Sequence, residues 1–177
     1  MTARKINTKL ALMGRNHSDT LQTPDGPLIS LMNALPEPLN GTVWECASGA
    51  GNIVRFFERS NQPCVGTDIL TGVDFLKPWP KDLEFSYIIT NPPFSLKDEF
   101  LEVCYNSGAP FALLLPLTAL EGVRRQTMYK KYGMQLLVLN KRPDFEFPGG
   151  VFKKKPWVPC AWFTNHFNFP SDLNFVE

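Results

Sequence analysis

Four consecutive residues that follow the apolar run 85–90 can do chemistry on a planar amine: Asn91, Pro92, Pro93 and Phe94. The lone pair of such an amine is delocalised into its ring, so the nitrogen is a poor nucleophile. The Asn91 carboxamide oxygen and the Pro92 carbonyl can accept hydrogen bonds from the NH₂ group and aim its lone pair at a methyl donor. The prolines fix this backbone, and Phe94 offers a face for a flipped-out base. The structural alternative is a rigid turn with a buried phenylalanine.

A glycine turn upstream is suited to holding a small ligand. The apolar segment 42–46 predicts a short buried strand, and it leads into a loop that contains Gly49 and Gly51. Apolar residues then recur with helical spacing over 52–58. A strand, a glycine turn and a helix in this order let a ligand approach the backbone at the carboxyl end of the strand. A Gly-x-Gly sequence by itself is weak evidence for a ligand site, because many turns contain this pattern.

The next predicted strand, 63–69, supplies an acid at a suitable distance. Asp68 stands nineteen residues after Gly49, the spacing at which a carboxylate binds ribose hydroxyls. The third small residue of a dinucleotide fingerprint is absent, because Val54 occupies its position. The pattern therefore favours an adenosine-type ligand without a pyrophosphate over a nicotinamide cofactor.

Together, these residues resemble the amino-group methyltransferases that use S-adenosylmethionine, specifically the adenine-N6 branch with the gamma order of motifs, including its small phage-type DNA enzymes. The resemblance covers roughly residues 23 to 142. It implies catalytic roles for Asn91, Pro92, Pro93 and Phe94. The cofactor-binding residues that it implies are Thr23, Pro24, Glu45, Ala47, Gly49, Gly51, Asp68, Ile69, Asp74, Phe75 and Asn91.

The resemblance implies transfer of a methyl group from S-adenosylmethionine to adenine N6 in DNA, with S-adenosylhomocysteine as the product. Methylation of adenine in RNA is the nearest alternative, because the same four residues serve both polymers. Glutamine-methylating enzymes carry a related signature, usually with tyrosine at the place of Phe94. The alternative from another class is a non-catalytic binding module that keeps the fold. The intact Asn91, Gly49 and Gly51 argue against that module.

Composition predicts one cytoplasmic enzyme domain. The 177 residues are 44% apolar, with a net charge of +1, which suffices for a single core. The sequence has no apolar run of membrane-spanning length and no signal-like start, so no membrane partner is expected. Its four cysteines are far apart and it has two histidines. We therefore expect neither a metal site nor disulfides.

Strand-like and helix-like segments alternate, which predicts an α/β fold: a mainly parallel sheet with helices on both faces. The resemblance implies a single Rossmann-like class I methyltransferase domain with a reversed last strand. We expect a polar N-terminal arm at 1–22 and the domain at 23–177. The predicted helices are 27–35, 52–58, 96–107 and 118–132, and the later strands are 85–90, 111–115, 135–140 and 157–164, with Pro159 marking a bulge or an edge. A strand at 73–76 is barely visible.

Basic residues are concentrated in the segment 123–156, where nine lysines and arginines stand against two acids. Interleaved aromatic residues favour a nucleic-acid surface there over a merely solvated face, and the resemblance implies DNA before RNA as the polymer. The predicted substrate-binding residues are Phe94, Arg142, Phe145, Lys153, Lys154 and Lys155. Only 44 residues follow Gly133, too few for a separate target-recognition domain. Sequence recognition must then come from the loop 143–156, the arm, or a second subunit, either another copy of the chain or a partner protein.

Overall fold

A computed structural model describes residues 21–146 and 158–176 of the chain. These residues form an α/β domain whose strands are short and whose helices span two to three turns. The helices are α1 (Asp25–Ala34), α2 (Asn52–Arg59), α3 (Lys97–Ser107) and α4 (Val123–Tyr132). The strands are β1 (Val43–Glu45), β2 (Cys64–Gly66), β3 (Tyr87–Thr90), β4 (Phe111–Pro116), β5 (Gln135–Val138), β6 (Cys160–Asn165) and β7 (Leu173–Phe175).

The seven strands form one sheet in the order β2-β1-β3-β4-β6-β5-β7. Strand β6 runs antiparallel to both of its neighbours, β4 and β5, while every other pairing is parallel. The predicted fold class, a mainly parallel sheet with one reversed strand, is confirmed. The reversed strand is followed by β7, which the sequence analysis did not predict.

Helices cover both faces of the sheet, as predicted. On one face, Leu28 of α1 and Phe57 of α2 pack against Ile89 and Leu114 of the central strands. The opposite face carries a second core, in which Leu101 of α3 packs with neighbouring buried strand residues. Adjacent residues of one strand thus enter different cores, because successive side chains point to opposite faces. This explains why the central strands are apolar throughout.

Three details differ from the prediction. Residues 73–76 form no strand, and the helix expected over 118–132 is divided into a 3₁₀ turn at Leu117–Leu120 and α4. Gly122, with φ of 101°, separates the two pieces because it leaves the helical backbone conformation. Pro159 marks neither a bulge nor an edge: it precedes β6, and its carbonyl accepts a hydrogen bond from the Leu117 N–H. No helix in the described ranges is long and apolar enough to cross a membrane.

Strand β2 is added on one side of β1, and β3 is added on the other side. The order in which the chain adds strands to the sheet therefore reverses at β1. Glu45 is the last residue of β1, and Asn91 directly follows β3. Because β1 and β3 are adjacent and parallel, both residues lie at the same edge of the sheet. In open α/β sheets, ligands bind outside the carboxyl ends of the strands at such a reversal. The fold therefore places the predicted site where a ligand crevice is expected.

Candidate functional site

A cavity of about 460 Å³ opens at the carboxyl ends of β1, β2 and β3. Its volume lies in the range of small-molecule and cofactor sites. Its walls are mostly apolar. They bring together residues of the predicted cofactor loop and residues of the predicted catalytic signature. The lining residues are Leu21, Gln22, Cys46, Ala47, Gly49, Ala50, Asp68, Ile69, Leu70, Asp74, Phe75, Leu76, Asn91, Pro93, Leu96 and Phe100.

The glycine loop is shaped by close packing against Gln22. Gly49 has a φ of 51°, and a Cβ at this position would lie 2.6 Å from Gln22 Nε2. The Gln22 Oε1 accepts a hydrogen bond of 2.9 Å from the Ala50 N–H. Gly51, with φ of 82°, precedes α2. The left-handed backbone at position 49 therefore favours glycine, and a larger residue there would also have to displace the Gln22 amide.

Asp68 follows the carboxyl end of β2, lines the cavity and is buried. Its Oδ2 accepts a hydrogen bond of 3.0 Å from the Gly49 N–H, and its Oδ1 accepts one of 2.8 Å from the Leu70 N–H. The carboxylate thus connects the glycine loop to the 3₁₀ turn Ile69–Thr71. Each carboxylate oxygen has two lone pairs, so both can accept a further hydrogen bond from a ligand.

An aromatic wall closes the side of the cavity beyond Asp68. Phe75 is buried and lines the cavity together with Ile69 and Asp74. Its ring stacks on Phe100 at a centroid distance of 4.8 Å and meets Trp44 edge to face at 5.2 Å. Because its neighbours hold it on several sides, Phe75 offers a rigid apolar surface to a planar ligand.

Asn91 presents an unsatisfied acceptor to this edge of the sheet. Its Nδ2 donates a hydrogen bond of 3.3 Å to the Leu21 carbonyl, which fixes the orientation of the carboxamide. Its Oδ1 is buried and accepts no hydrogen bond from the described part of the chain. Leaving a buried acceptor unpaired costs about 1–3 kcal/mol. The site is therefore suited to a ligand that brings an N–H or O–H donor.

The rest of the predicted catalytic signature is buried around Asn91. Pro92 and Pro93 are buried, and Pro93 also lines the cavity. Phe94 is 9% exposed, does not line the cavity, and meets Phe145 edge to face at a centroid distance of 6.2 Å. Phe145 is fully buried, so its side chain belongs to the core in this conformation.

Glu45 carries the second unsatisfied acceptor. Its Oε1 accepts hydrogen bonds from Thr90 Oγ1 (2.5 Å) and the Ala47 N–H (2.9 Å), whereas Oε2 has no partner within the described ranges. Burial raises the pKa of this carboxyl from 4.5 to about 8, against the lowering effect of the two hydrogen bonds, and the charge of Asp68 raises it further. Glu45 and Asn91 both line a recess of about 20 Å³ beside the main cavity.

The raised pKa of Glu45 predicts a pH dependence of stability. Between pH 4.5 and 8 the folded protein holds a proton on Glu45 that the unfolded chain has released, so the free energy of unfolding should fall as pH rises through this window. The slope from this group should approach about 1.4 kcal/mol per pH unit. Denaturant unfolding of Glu45→Gln should remove that slope. Glu58→Gln, which removes an exposed carboxylate, is the matched control, and an unchanged slope in Glu45→Gln would contradict the assignment.

Thr23 and Pro24 lie at the edge of the site. Thr23 is buried, lines the small recess, and its carbonyl accepts a hydrogen bond from Asn52 Nδ2. Pro24 precedes α1 and lies outside both spaces. The sequence analysis missed Leu21 and Gln22, which it placed in the arm. Their polar and aperiodic surroundings gave no signal of contact with the site.

The basic surface is smaller than the sequence suggests. Arg124 pairs with Glu99 and Glu102, and Arg125 pairs with Asp98. These three acids belong to α3 and lie outside the segment in which charges were counted. Lys141 and Arg142 are exposed, and both line a groove beside α1. Lys153, Lys154 and Lys155 lie outside the described residues, as do residues 1–20 of the predicted arm.

The comparisons with known proteins show the fold. No family model matches the chain, and no curated protein matches it. A solved structure from Listeria monocytogenes, described as a class I S-adenosylmethionine-dependent methyltransferase, superposes with a TM-score of 0.60 at 14% identity, over 95% of this chain and 70% of that one. A type I restriction enzyme modification subunit, so described, from Vibrio vulnificus superposes with a TM-score of 0.53 at 14% identity, over 88% of this chain. The chain spans 45% of the length of that subunit.

Proposed function

We propose that this protein transfers a methyl group from S-adenosylmethionine to the N6 amino group of adenine in DNA. The observation that carries the proposal is the buried Asn91 Oδ1, an acceptor without a donor among the described residues, at the carboxyl end of β3. The N–H group of an exocyclic amine could donate the hydrogen bond that this oxygen lacks. The shared fold supports methyl transfer in general, because the Listeria structure is described as a class I S-adenosylmethionine-dependent methyltransferase.

The residues that line the cavity have the chemistry needed to bind S-adenosylmethionine. Asp68 has lone pairs left for two ribose hydroxyls, and the wall at Phe75, with Ile69 and Asp74, suits an adenine ring. The unpaired Glu45 Oε2 near the glycine loop suits the ammonium group of the methionine end once the carboxyl has lost its proton, a loss that the positive charge of that group favours. S-adenosylmethionine would supply an electrophilic methyl group on a sulfonium centre.

The residues of the chain then orient the acceptor nitrogen. Asn91 Oδ1 and the Pro92 carbonyl would each accept a hydrogen bond from one N–H of the amine, which favours a pyramidal nitrogen with its lone pair directed at the methyl group. The nitrogen would take the methyl group as the carbon–sulfur bond of the cofactor breaks, leaving S-adenosylhomocysteine, and the methylated nitrogen would release a proton to solvent. Phe94 would stack on the flipped base, which requires its ring to leave the contact with Phe145.

The polymer can be identified by incubating the protein with labelled cofactor and matched pools of DNA, RNA and protein. We expect label in DNA, and more in single-stranded or mismatched DNA, because extruding an adenine costs least there. Label confined to RNA would favour the nearest alternative, and label on protein glutamine would reassign the substrate. Cofactor binding without transfer to any pool would support a non-catalytic module.

Phosphate contacts should supply most of the affinity for DNA. A Lys153/Lys154/Lys155→Ala variant should bind DNA with a weaker salt dependence, the log–log slope falling by about 0.7–0.9 for each lysine that pairs with a phosphate in the wild type. Arg124→Ala is the matched control: its guanidinium is already paired with two acids, so we expect little change. Binding measured across a salt series distinguishes the two. A slope equal to that of the wild type in the triple variant would mean that these lysines form only a solvated surface.

A further inference from the structure

The segment before α1 is tied to the segment after β5 directly beside the site. The Gln22 N–H donates to the Glu146 carbonyl at 2.8 Å, and the Glu146 N–H donates to the Gln22 carbonyl at 3.0 Å. This pair of backbone hydrogen bonds forms an isolated antiparallel bridge, which we call the clasp. Asn52 Nδ2 strengthens it by donating to Glu146 Oε2 at 3.1 Å and to the Thr23 carbonyl at 3.3 Å.

The clasp fixes the carbonyl that holds Asn91. The Leu21 carbonyl belongs to the same peptide unit as the Gln22 N–H, so the bond from that N–H to Glu146 sets the direction of the carbonyl. Asn91 Nδ2 donates to this oxygen across a separation of 70 residues. The Leu21 side chain is buried in the core that α1 and α2 form with the sheet, which further restricts the peptide.

We infer that the clasp is a positioning device for the reaction: through the Leu21 carbonyl it selects which atom of the Asn91 carboxamide faces the substrate. A carboxamide can turn over and exchange its oxygen for its NH₂ group. With Nδ2 bound to Leu21, the acceptor Oδ1 is left for the amine; in the reversed orientation an NH₂ group would face another NH₂ group. Gln22 and Glu146 are thus positioning residues, and neither needs to touch the base.

Backbone chemistry offers the sharpest test. An ester in place of the amide between Leu21 and Gln22 removes the Gln22 N–H and weakens the Leu21 carbonyl as an acceptor, without changing a side chain. The matched control is an ester between Tyr132 and Gly133. It removes the Gly133 N–H that donates to Tyr129 and weakens the Tyr132 carbonyl, which accepts a hydrogen bond from Asn165 Nδ2.

The inference rests on the proposed methyl transfer, so the experiment has two readouts. The first is the NMR signal of the Asn91 side-chain NH₂, which should shift and exchange faster with solvent in the Leu21–Gln22 ester and stay unchanged in the control. The second is single-turnover methylation, which should slow by about tenfold, the loss expected when one hydrogen bond that holds the Asn91 carboxamide is weakened. Cofactor affinity is measured beside the rate, because Gln22 lines the cavity and accepts a hydrogen bond from the Ala50 N–H of the glycine loop.

The outcomes separate the two claims. An unchanged Asn91 signal, or an equal shift in the control ester, would overturn the positioning role whether or not the protein methylates DNA. A shifted signal with normal turnover would also overturn it, because orientation would then not matter for the reaction. A shifted signal in a protein that methylates no polymer would leave the clasp as the holder of Asn91 and refute the proposed function. Glu146→Pro, compared with Glu146→Ala, tests the same bridge by ordinary mutagenesis, since only proline removes the N–H.

Discussion

Asn91→Ala should lower the methylation rate by on the order of 10²-fold or more, with little change in cofactor affinity. The substitution removes the carboxamide oxygen that would accept a hydrogen bond from the target amine, and loss of one preorganised polar group has this magnitude. The cofactor-facing parts of the cavity, the glycine loop and the aromatic wall, do not depend on the Asn91 side chain for any hydrogen bond that the structure describes. Single-turnover rates and calorimetric affinities measure the two effects separately.

Asn165→Ala is the matched control for the loss of a buried asparagine. Asn165 also donates its side-chain amide to backbone carbonyls, those of Tyr132 and Gly133, but it does not line the cavity. This variant should lose stability and keep its turnover once it is folded. A near-normal rate in Asn91→Ala, or an equal loss of rate in Asn165→Ala, would remove Asn91 from the mechanism.

Asp68→Ala should weaken S-adenosylmethionine binding by roughly 1.5–3 kcal/mol, the range for hydrogen bonds to a charged group. The carboxylate would accept hydrogen bonds from both ribose hydroxyls while its present bonds hold the loop around Gly49 and Leu70. Calorimetry measures the affinity, and an unchanged value would place Asp68 outside the cofactor site.

A second variant separates ligand contact from loop structure. Thr71 Oγ1 accepts a hydrogen bond of 3.1 Å from the Asp68 N–H, so Thr71→Val disturbs the same turn and leaves the carboxylate in place. We expect cofactor affinity in this variant to stay close to that of the wild type. If Thr71→Val weakened binding as much as Asp68→Ala, the effect of Asp68 would lie in the conformation of the turn.

The sequence predicts the scaffold of the site because the relevant signals are local. A buried strand ending at a glycine turn and a second strand ending at Asn91 must end at the same edge if the sheet is parallel, and the structure pairs them directly. The cavity is lined by Gly49, Asp68, Asp74 and Phe75 in the predicted places. Their roles toward a ligand remain predictions.

The parts that the sequence did not predict depend on distant contacts or on short elements. The bond between Asn91 and Leu21 joins residues 70 positions apart, and nothing in the polar segment before α1 indicates it. Strand β7 has only three residues, of which Leu173 and Phe175 are exposed, so it lacks an inward-facing apolar pattern. The neutralisation of Arg124 by α3 was missed for the same reason, because a count of charges along the chain omits acids from another helix.

Nucleoside analysis of a methylated product tests the central claim most directly. DNA incubated with the protein and methyl-labelled S-adenosylmethionine would be digested to nucleosides and examined by mass spectrometry. The proposed function predicts that the label appears as N6-methyldeoxyadenosine, and that Asn91→Ala reduces this product by on the order of 10²-fold or more. Label on another nucleoside, or no label in DNA from a protein that binds the cofactor, would contradict it.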